Sequence, residues 1–241
     1  MKSSLIVYPT KLLKFKDNKN LMLEIACFEI TSAETALQSM ADRIEFCHDL
    51  EKGGTTPDFY EFMHLKRHYA KPIYLMIRPK GGPFFYSDEE FINMKSSIIS
   101  FKEAGADGFV FGILDADNEI DVEKNRDLLT LAGEIPCTFH RAFDRTSDLE
   151  KSIQTLIKLG FKTVLTSGGK KSAVEGKKVL KDLIEKYSPQ IEILIGGGVR
   201  SENIEELKEF TGGTSFHSSA ILKYDTFVTE GEIKKLKKLS S

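Results

Sequence analysis

Residues 21–47 read LMLEIACFEITSAETALQSMADRIEFC, and their pattern sets the architecture expected for the whole chain. Residues 21–26 are apolar except for Glu24, residues 31–40 suit a short helix, and residues 42–47 alternate polar and apolar side chains. The stretch therefore predicts a strand, a helix and a second strand. Strands joined by a crossover helix run parallel, so we expect a βαβ unit.

The same alternation of strand and helix continues to the end of the chain. Further strands are predicted over residues 73–78, 108–114, 137–140, 163–167, 191–195 and 214–217. Eight such units in 241 residues fit a TIM barrel, which usually has roughly 250. The predicted fold class is α/β, a TIM-type (β/α)8 barrel in a single domain over residues 21–241, after an N-terminal extension over residues 1–20. An open doubly wound sheet usually has fewer strands, so we favour the barrel.

Composition restricts the partners that we expect. The formal net charge is -2, from 34 basic and 36 acidic side chains, which gives no indication of a nucleic-acid surface. No apolar run approaches the roughly 18 residues of a membrane span. The three cysteines form neither a CxxC pair nor an even-numbered framework, as is typical of a reducing compartment. We expect a cytoplasmic protein with a small ligand, without nucleic acid or membrane as a partner.

Charged and polar residues stand at the carboxyl ends of the predicted strands, where such barrels bind ligands. Because side chains alternate along a strand, Glu45 and Cys47 share one face, whereas Glu24 and Cys27 lie on opposite faces. If the glutamates point into the barrel, Cys47 also points inward and Cys27 points away. Charges buried there cost several kcal/mol each unless they are paired or face a wet ligand site.

Glu45, Arg78 and His140 are therefore the candidate catalytic residues. We expect Arg78 to bind an anionic or carbonyl group, and Glu45 or His140 to transfer protons, since histidine titrates closest to neutral pH. The alternative is an internal salt bridge between glutamate and arginine that only fills the barrel.

Glycines and serines follow the last three predicted strands. Backbone amides freed by glycine, together with helix N-termini, suit a phosphate or carboxylate, so these loops form a candidate anion site. The alternative is that the glycines only make tight turns. The residues assigned to the anion site are Ser167, Gly168, Gly197, Gly198, Ser218 and Ser219.

Four longer motifs are distinctive: ADRIEFCHDLEKGGTTP at 41–57, IRPKGGPFFYSDEEF at 77–91, TFHRAFD at 138–144 and GGGVRSENI at 196–204. Together they resemble the CutC copper-homeostasis family. The resemblance implies a cytoplasmic TIM-type barrel that forms homo-oligomers, is linked to copper tolerance and binds copper(I) through cysteine. It implies no established reaction.

The candidate copper(I) ligands are Cys47, which matches the family cysteine of the second strand, and Cys27, with Met76 nearby. The family's first strand commonly reads Glu, an aliphatic residue and Cys, whereas this chain has Ala26 and places its cysteine one residue later. Two facing cysteines are the usual minimum for tight linear copper(I) ligation. Two functions stay open: a copper(I)-binding homeostasis protein, and an enzyme acting on a small phosphorylated or carboxylated metabolite.

Overall fold

The structure is a computed structural model that describes residues 21–239. The strands are β1 (Met22–Cys27), β2 (Arg43–Phe46), β3 (Ile73–Met76), β4 (Gly108–Phe111), β5 (Cys137–Phe139), β6 (Thr163–Thr166), β7 (Glu192–Ile195) and β8 (Ser215–Ser218). The helices are α1 (Ile30–Gln38), α2 (Phe59–His68), α3 (Asp88–Glu103), α4 (Val122–Ala132), α5 (Leu149–Leu159), α6 (Ala173–Tyr187), α7 (Ile204–Thr211) and α8 (Glu230–Leu239).

The eight strands are parallel and close into a barrel in sequence order, with β8 paired to β1. The predicted single-domain TIM-type (β/α)8 fold is thus confirmed. The extension predicted over residues 1–20 lies outside the described residues. No helix within residues 21–239 has the length and apolar character needed to cross a membrane.

Several strands end earlier than predicted, which moves candidate residues into the loops. Arg78 follows β3 by two residues, and His140 follows β5 directly. The loops after β2 and β5 each contain a short 3-10 helix, at Leu50–Lys52 and Arg141–Arg145. The candidate residues therefore lie at the mouth of the barrel, where loop geometry decides their orientation.

Most of the hydrophobic core lies between the strands and the helices. One face of each strand supplies it, as Ile44 and Phe46 of β2 show, and both are fully buried. A second, smaller cluster inside the barrel contains Cys47, Tyr74, Met76 and Val110. Because side chains alternate between the two faces of a strand, the outward-facing ones form the large core against the helices, and the inward-facing ones form the small cluster inside the barrel.

Side-chain caps at the helix N-termini explain where several helices begin. Ser87 forms a capping box with Glu90 at the start of α3, and Asp121 and Asp148 cap α4 and α5. Each cap oxygen accepts hydrogen bonds from amides that have no partner within the helix.

Helix α6 approaches the end of β6 so closely that only glycine fits at the contact. A Cβ atom on Gly176 would collide with the carbonyl oxygen of Ser167. Gly168 has a positive φ of 71°, and a Cβ there would lie 2.7 Å from the Gly176 carbonyl oxygen. This contact positions the loop after β6 at the barrel mouth.

We expect Gly176→Ala to lower the free energy of unfolding by about 3 kcal/mol, because backbone atoms must move to admit the methyl group. Urea denaturation measures this change. The matched control is Gly231→Ala in α8, where the nearest atom to an added Cβ is the Thr229 Cγ2 at 3.9 Å and the helix should be unaffected or slightly stabilised. Equal stability of both variants would contradict the close approach.

Candidate active site at the carboxyl end of the barrel

A cavity of about 270 Å3 opens at the carboxyl ends of the strands. The three candidate catalytic residues, Glu45, Arg78 and His140, all border it. The structure thus brings side chains from β2 and from the loops after β3 and β5 to one space. Further bordering residues come from β6, from β8 and from the loops after β5, β7 and β8: Arg141, Leu165, Gly197, Gly198, Arg200, His217, Ser218 and Ser219.

A cluster of charged groups forms one wall of the cavity and extends below it. Glu24 is fully buried; Arg43 Nε donates to its Oε2 at 2.5 Å, and its Oε1 lies 2.7 Å from His217 Nδ1. The other ring nitrogen of His217, Nε2, lies 3.8 Å from Glu45 Oε2. The second carboxyl oxygen of Glu45, Oε1, is buried and has no hydrogen-bond partner within the described residues. His217 therefore bridges a paired glutamate and an incompletely paired one.

The two glutamates differ in pKa because their neighbours differ. Burial alone would raise the pKa of Glu24, but the charges of Arg43 and His217 lower it to about 2. Burial raises the pKa of Glu45 to about 7, and the negative charge of Glu24 adds to this effect. Burial would lower the pKa of His217, yet the carboxyl groups of Glu45 and Glu24 raise it. Glu24 is thus a fixed anion, whereas Glu45 can exchange a proton near neutral pH.

Arg78 is a buried cation whose hydrogen bonds go to neutral groups. Its Nη1 donates to the carbonyl oxygens of Lys52 and Gly54, both at 2.8 Å, and its Nη2 donates to that of Gly82 at 3.0 Å. No carboxylate in the described part of the chain forms an ion pair with it, and its other polar neighbour is the neutral hydroxyl of Tyr86. Its positive charge therefore has no internal counter-ion at the cavity.

His140 is held as a neutral imidazole with one free donor. The amide of Ala142 donates to its Nδ1 at 3.3 Å, so the ring proton belongs on Nε2. Burial, and then the charge of Arg78, lower the pKa of His140 to about 3. Its Nε2 is buried and has no partner among residues 21–239. His140 thus presents an unused N–H group at a residue that borders the cavity.

The amides of the loop after β6 already bind an anion, the side chain of Asp144 from the loop after β5. The carboxylate of Asp144 accepts hydrogen bonds from the amides of Ser167 and Gly169 and from the hydroxyl of Thr166. In this part of the predicted anion site the Ser167 amide is therefore directed at Asp144, and the Gly168 amide donates to Thr166 Oγ1 at 2.9 Å, so neither is directed at a free ligand. The physical reason is that a turn following β5 reaches across to the amides of the next loop.

The other part of the predicted anion site surrounds Arg200. Its Nη2 donates to Ser219 Oγ at 2.8 Å, and its Nη1 donates to Ser218 Oγ at 3.1 Å. The loop glycines Gly197 and Gly198 border the cavity beside it. The serine hydroxyls are thus used to orient a guanidinium, so at this side of the mouth the cation itself is the group available to an anion.

The model of the CutC family matches residues 21–222, which is most of the chain. The chain belongs to the CutC family. The copper homeostasis protein cutC homolog of Homo sapiens is 43% identical over 199 residues, which cover 83% of this chain and 73% of the human protein. The homolog of Drosophila melanogaster is 38% identical over 207 residues, covering 85% and 79% of the two chains. CutC from Streptococcus agalactiae superposes with a TM-score of 0.79 at 33% identity, covering 83% of this chain and 98% of that chain.

The candidate copper ligands of this CutC chain do not converge. Cys47 lies in the cluster inside the barrel, and Cys27 lies in the outer core, where its Sγ is 3.6 Å from the carbonyl oxygens of Ile25 and Ser32. Burial raises the pKa of both thiols well above the usual range. A site in which both sulfurs ligate copper(I) therefore does not fit this arrangement.

A cation other than copper has one geometrically suitable cluster in the described structure. Ligand atoms of Glu24, Glu45 and His217 lie within 4.8 Å of one another. However, both oxygens of Glu24 are already bound, one by Arg43 and the other by His217. We interpret the cluster as a group that shares protons, since a cation would have to displace these bonds.

Three residues of the CutC site receive no role from the sequence alone: Asp144, Arg200 and His217. Their motifs, TFHRAFD, GGGVRSENI and FHSSA, are visible in the sequence, but their partners are distant along the chain. Glu24 and His217, for example, are 193 residues apart. The sequence feature that pointed to His217 was its position at the end of the last predicted strand, where such barrels bind ligands.

Glu45→Gln should make the stability of the protein depend differently on pH. The folded pKa of Glu45, about 7, exceeds the ordinary value of 4.5, so its stabilising contribution is complete below about pH 4.5 and is lost as pH rises through 7. Glutamine mimics the neutral carboxyl group. We expect variant and wild type to be similar at pH 5, and the variant to be more stable by about 2 kcal/mol at pH 8.

Urea denaturation at the two pH values measures this difference. The control is Glu123→Gln, whose side chain is 82% exposed. A difference between Glu45→Gln and wild type that stays constant from pH 5 to pH 8 would show that Glu45 does not titrate in this interval.

Proposed function

We propose that this CutC-family protein is an enzyme that acts on a small phosphorylated or carboxylated metabolite at the carboxyl end of its barrel. The observation that carries the proposal is Arg78, which is 4% exposed, has no internal counter-ion and borders the cavity. A buried charge is costly unless it is compensated, and an anionic ligand would supply the compensation. A residue that only filled the barrel would be expected to have a carboxylate partner.

The remaining cations at the cavity support the same substrate class. Arg141 is paired with Asp144 at 2.9 Å, so its charge is largely compensated. Arg200 is bound by neutral oxygens and lies on the side opposite β3. We propose that Arg78 binds the anionic group and that Arg200 contacts the far end of the same ligand. A cavity of about 270 Å3 is close to the lower limit for small-molecule sites, roughly 300 Å3, which suits a small metabolite.

Proton transfer is the chemistry that the opposite wall supports. A carboxyl group with a pKa of about 7 can accept and return a proton at neutral pH. His217 lies between Glu45 and the fixed charge of Glu24, so it can stabilise the ionised form of Glu45. We therefore assign Glu45 as the group that transfers the proton, and His217 and Glu24 as residues that position and tune it.

Arg78→Met should abolish binding of small anions, whereas Arg78→Lys should retain it in part because the charge is kept. Inorganic phosphate and oxalate serve as minimal phosphate and carboxylate probes, followed by phosphorylated sugars and 2-oxo acids. A probe at ten times its Kd stabilises the folded protein by about 1.4 kcal/mol, which raises Tm by roughly 3–6 °C. Thermal shift and calorimetry measure the effect.

The matched control is Arg126→Met on α4, whose side chain is 53% exposed. It should bind every probe as the wild type does. Anion binding that is equally strong in Arg78→Met and in Arg126→Met would overturn the role of Arg78, and failure of all probes to bind the wild type would overturn the proposal.

Copper(I) binding is a second candidate function, and one observation favours it. Cys47 and Met76 belong to the same cluster inside the barrel, and a Cβ atom on Gly54 would contact both, with Cys47 Sγ at 3.4 Å and Met76 Cε at 3.5 Å. A thiolate and a thioether are both soft ligands that suit copper(I). We propose that any copper(I) is held by this pair inside the barrel and not by Cys27. The predicted cytoplasmic location and homo-oligomeric state stay predictions.

Competition with a chromogenic copper(I) chelator tests this candidate. We expect Cys47→Ser to lose at least about tenfold in copper(I) affinity, and Cys27→Ser, the matched control in the outer core, to be unchanged. Equal affinity in both variants and the wild type would exclude the pair as the copper site.

A further inference from the structure

We propose that the reaction begins with removal of a proton from the carbon next to a substrate carbonyl, with Glu45 as the base and His140 as the donor that holds the carbonyl oxygen. The substrate would then be an anionic carbonyl compound of small size. This inference rests on the function proposed above and specifies its chemistry.

The first argument is the orientation of the His140 ring. Because the Ala142 amide donates to Nδ1, the imidazole must offer its proton at Nε2 if it is neutral. That N–H group is buried without an acceptor, which costs free energy unless a ligand provides one. A carbonyl oxygen is such an acceptor, and it becomes a stronger one when negative charge develops on it.

The second argument is the close fit around this ring. A Cβ atom on Gly112 would lie 2.7 Å from His140 Nδ1 and 2.8 Å from Cε1, so only glycine leaves room for the ring. On the other side the ring of Phe84 lies 4.8 Å from that of His140, measured between centroids. The donor is therefore held in one position before any substrate binds, as electrostatic stabilisation of an oxyanion requires.

The third argument is the charge around the site. The guanidinium of Arg78 borders the same cavity, and burial together with this charge keeps His140 neutral, so that Nδ1 accepts from Ala142 and Nε2 carries the proton. A neutral donor and a cation are thus available for an oxygen that gains negative charge. Glu45 borders the same cavity, and its Oε1, buried without a partner among the described residues, supplies the acceptor for a proton.

The residues that border the cavity argue against a covalent route. They include no lysine that could form a Schiff base and no cysteine that could attack a carbonyl, within the described chain. Both serine hydroxyls at the mouth are bound by Arg200. Among the side chains that border the cavity, Glu45 is therefore the one to which we assign the reaction, as a group that transfers a proton.

The step balances without an oxidant or a further reactant. The Glu45 carboxylate takes the proton, and the electron pair of the broken C–H bond forms a carbon–carbon double bond. The π electrons of the carbonyl move to its oxygen, where the His140 Nε2–H and Arg78 stabilise the enolate. Glu45 then returns the proton to the same carbon, which re-forms the carbonyl. In a 2-hydroxycarbonyl substrate the proton of the 2-hydroxyl group can instead move to the enolate oxygen, and Glu45 then returns its proton to the former carbonyl carbon, so that the carbonyl group ends on the neighbouring carbon. The outcome is epimerisation or isomerisation.

Deuterium exchange tests the step without knowledge of the product. The full-length protein is incubated in D2O with phosphorylated and carboxylated aldehydes, ketones and 2-oxo acids, and NMR detects deuterium at the carbon next to the carbonyl. We expect exchange with the wild type and a loss of at least about 100-fold in Glu45→Gln. No exchange above the level of Glu45→Gln for any compound would overturn the proposal.

Paired substitutions of His140 test the donor. His140→Gln keeps an N–H group near the position of Nε2, and we expect its exchange rate to stay within about tenfold of the wild type. His140→Met removes the donor and should lose at least about 100-fold. Gly112→Ala should resemble His140→Met because it displaces the ring, whereas the exposed His64→Met is the control and should be unaffected. Equal rates in His140→Gln and His140→Met would overturn the donor role.

A pair of inhibitors separates this inference from the function on which it rests. Phosphoglycolohydroxamate resembles an enediolate, whereas glycerol 3-phosphate carries the same phosphate on a saturated chain without that resemblance. We expect the wild type to bind the hydroxamate at least about tenfold more tightly, and His140→Met to lose this preference. Binding of both compounds through Arg78 with equal affinity would overturn the carbonyl chemistry and leave the anion site standing. Failure of both compounds, and of every phosphate and carboxylate probe named above, to bind the wild type would overturn both.

Discussion

The buried carboxylate of Glu24 is the group on which the site depends. It accepts a hydrogen bond from Arg43 on β2 and pairs with His217 on β8, so one side chain of β1 joins the strands on both sides of the point where the barrel closes. Removing one member of such a buried set typically costs about 3–5 kcal/mol, because the remaining charges lose their compensation. The same pairing fixes the charge beside Glu45, and therefore links closure of the barrel to the proton affinity of the cavity wall.

Buried charge is arranged in two different ways on the two sides of this cavity. On the side of β1, β2 and β8, acids and bases compensate one another and share protons. Near β3, Arg78 is bound by three carbonyl oxygens that orient it without neutralising it. The first arrangement contains charges of both signs, whereas the second has no counter-ion among the described residues. This contrast favours a binding site over a filled barrel interior.

Local patterns in the sequence predict much of this structure. The two-residue period of a strand is enough to place Glu45 and Cys47 inside the barrel and Cys27 outside it, as the structure shows. The pairing of charges depends on neighbours that are distant along the chain, so it could not be predicted in the same way. The sequence gives no sign that Asp144 would reach the loop after β6, or that Arg78 would lack a carboxylate partner.

Asp144 has a consequence for the way in which a ligand can lie. Its carboxylate accepts hydrogen bonds from the amides after β6 and pairs with Arg141, so the charges of Asp144 and Arg141 compensate each other at this side of the mouth. An anionic ligand then meets the cations Arg78, after β3, and Arg200, after β7, and the carboxyl group of Glu45 on β2. The barrel repeats one strand-and-helix unit eight times, but the charges at its mouth differ from unit to unit. An asymmetric ligand is therefore expected to bind in one orientation.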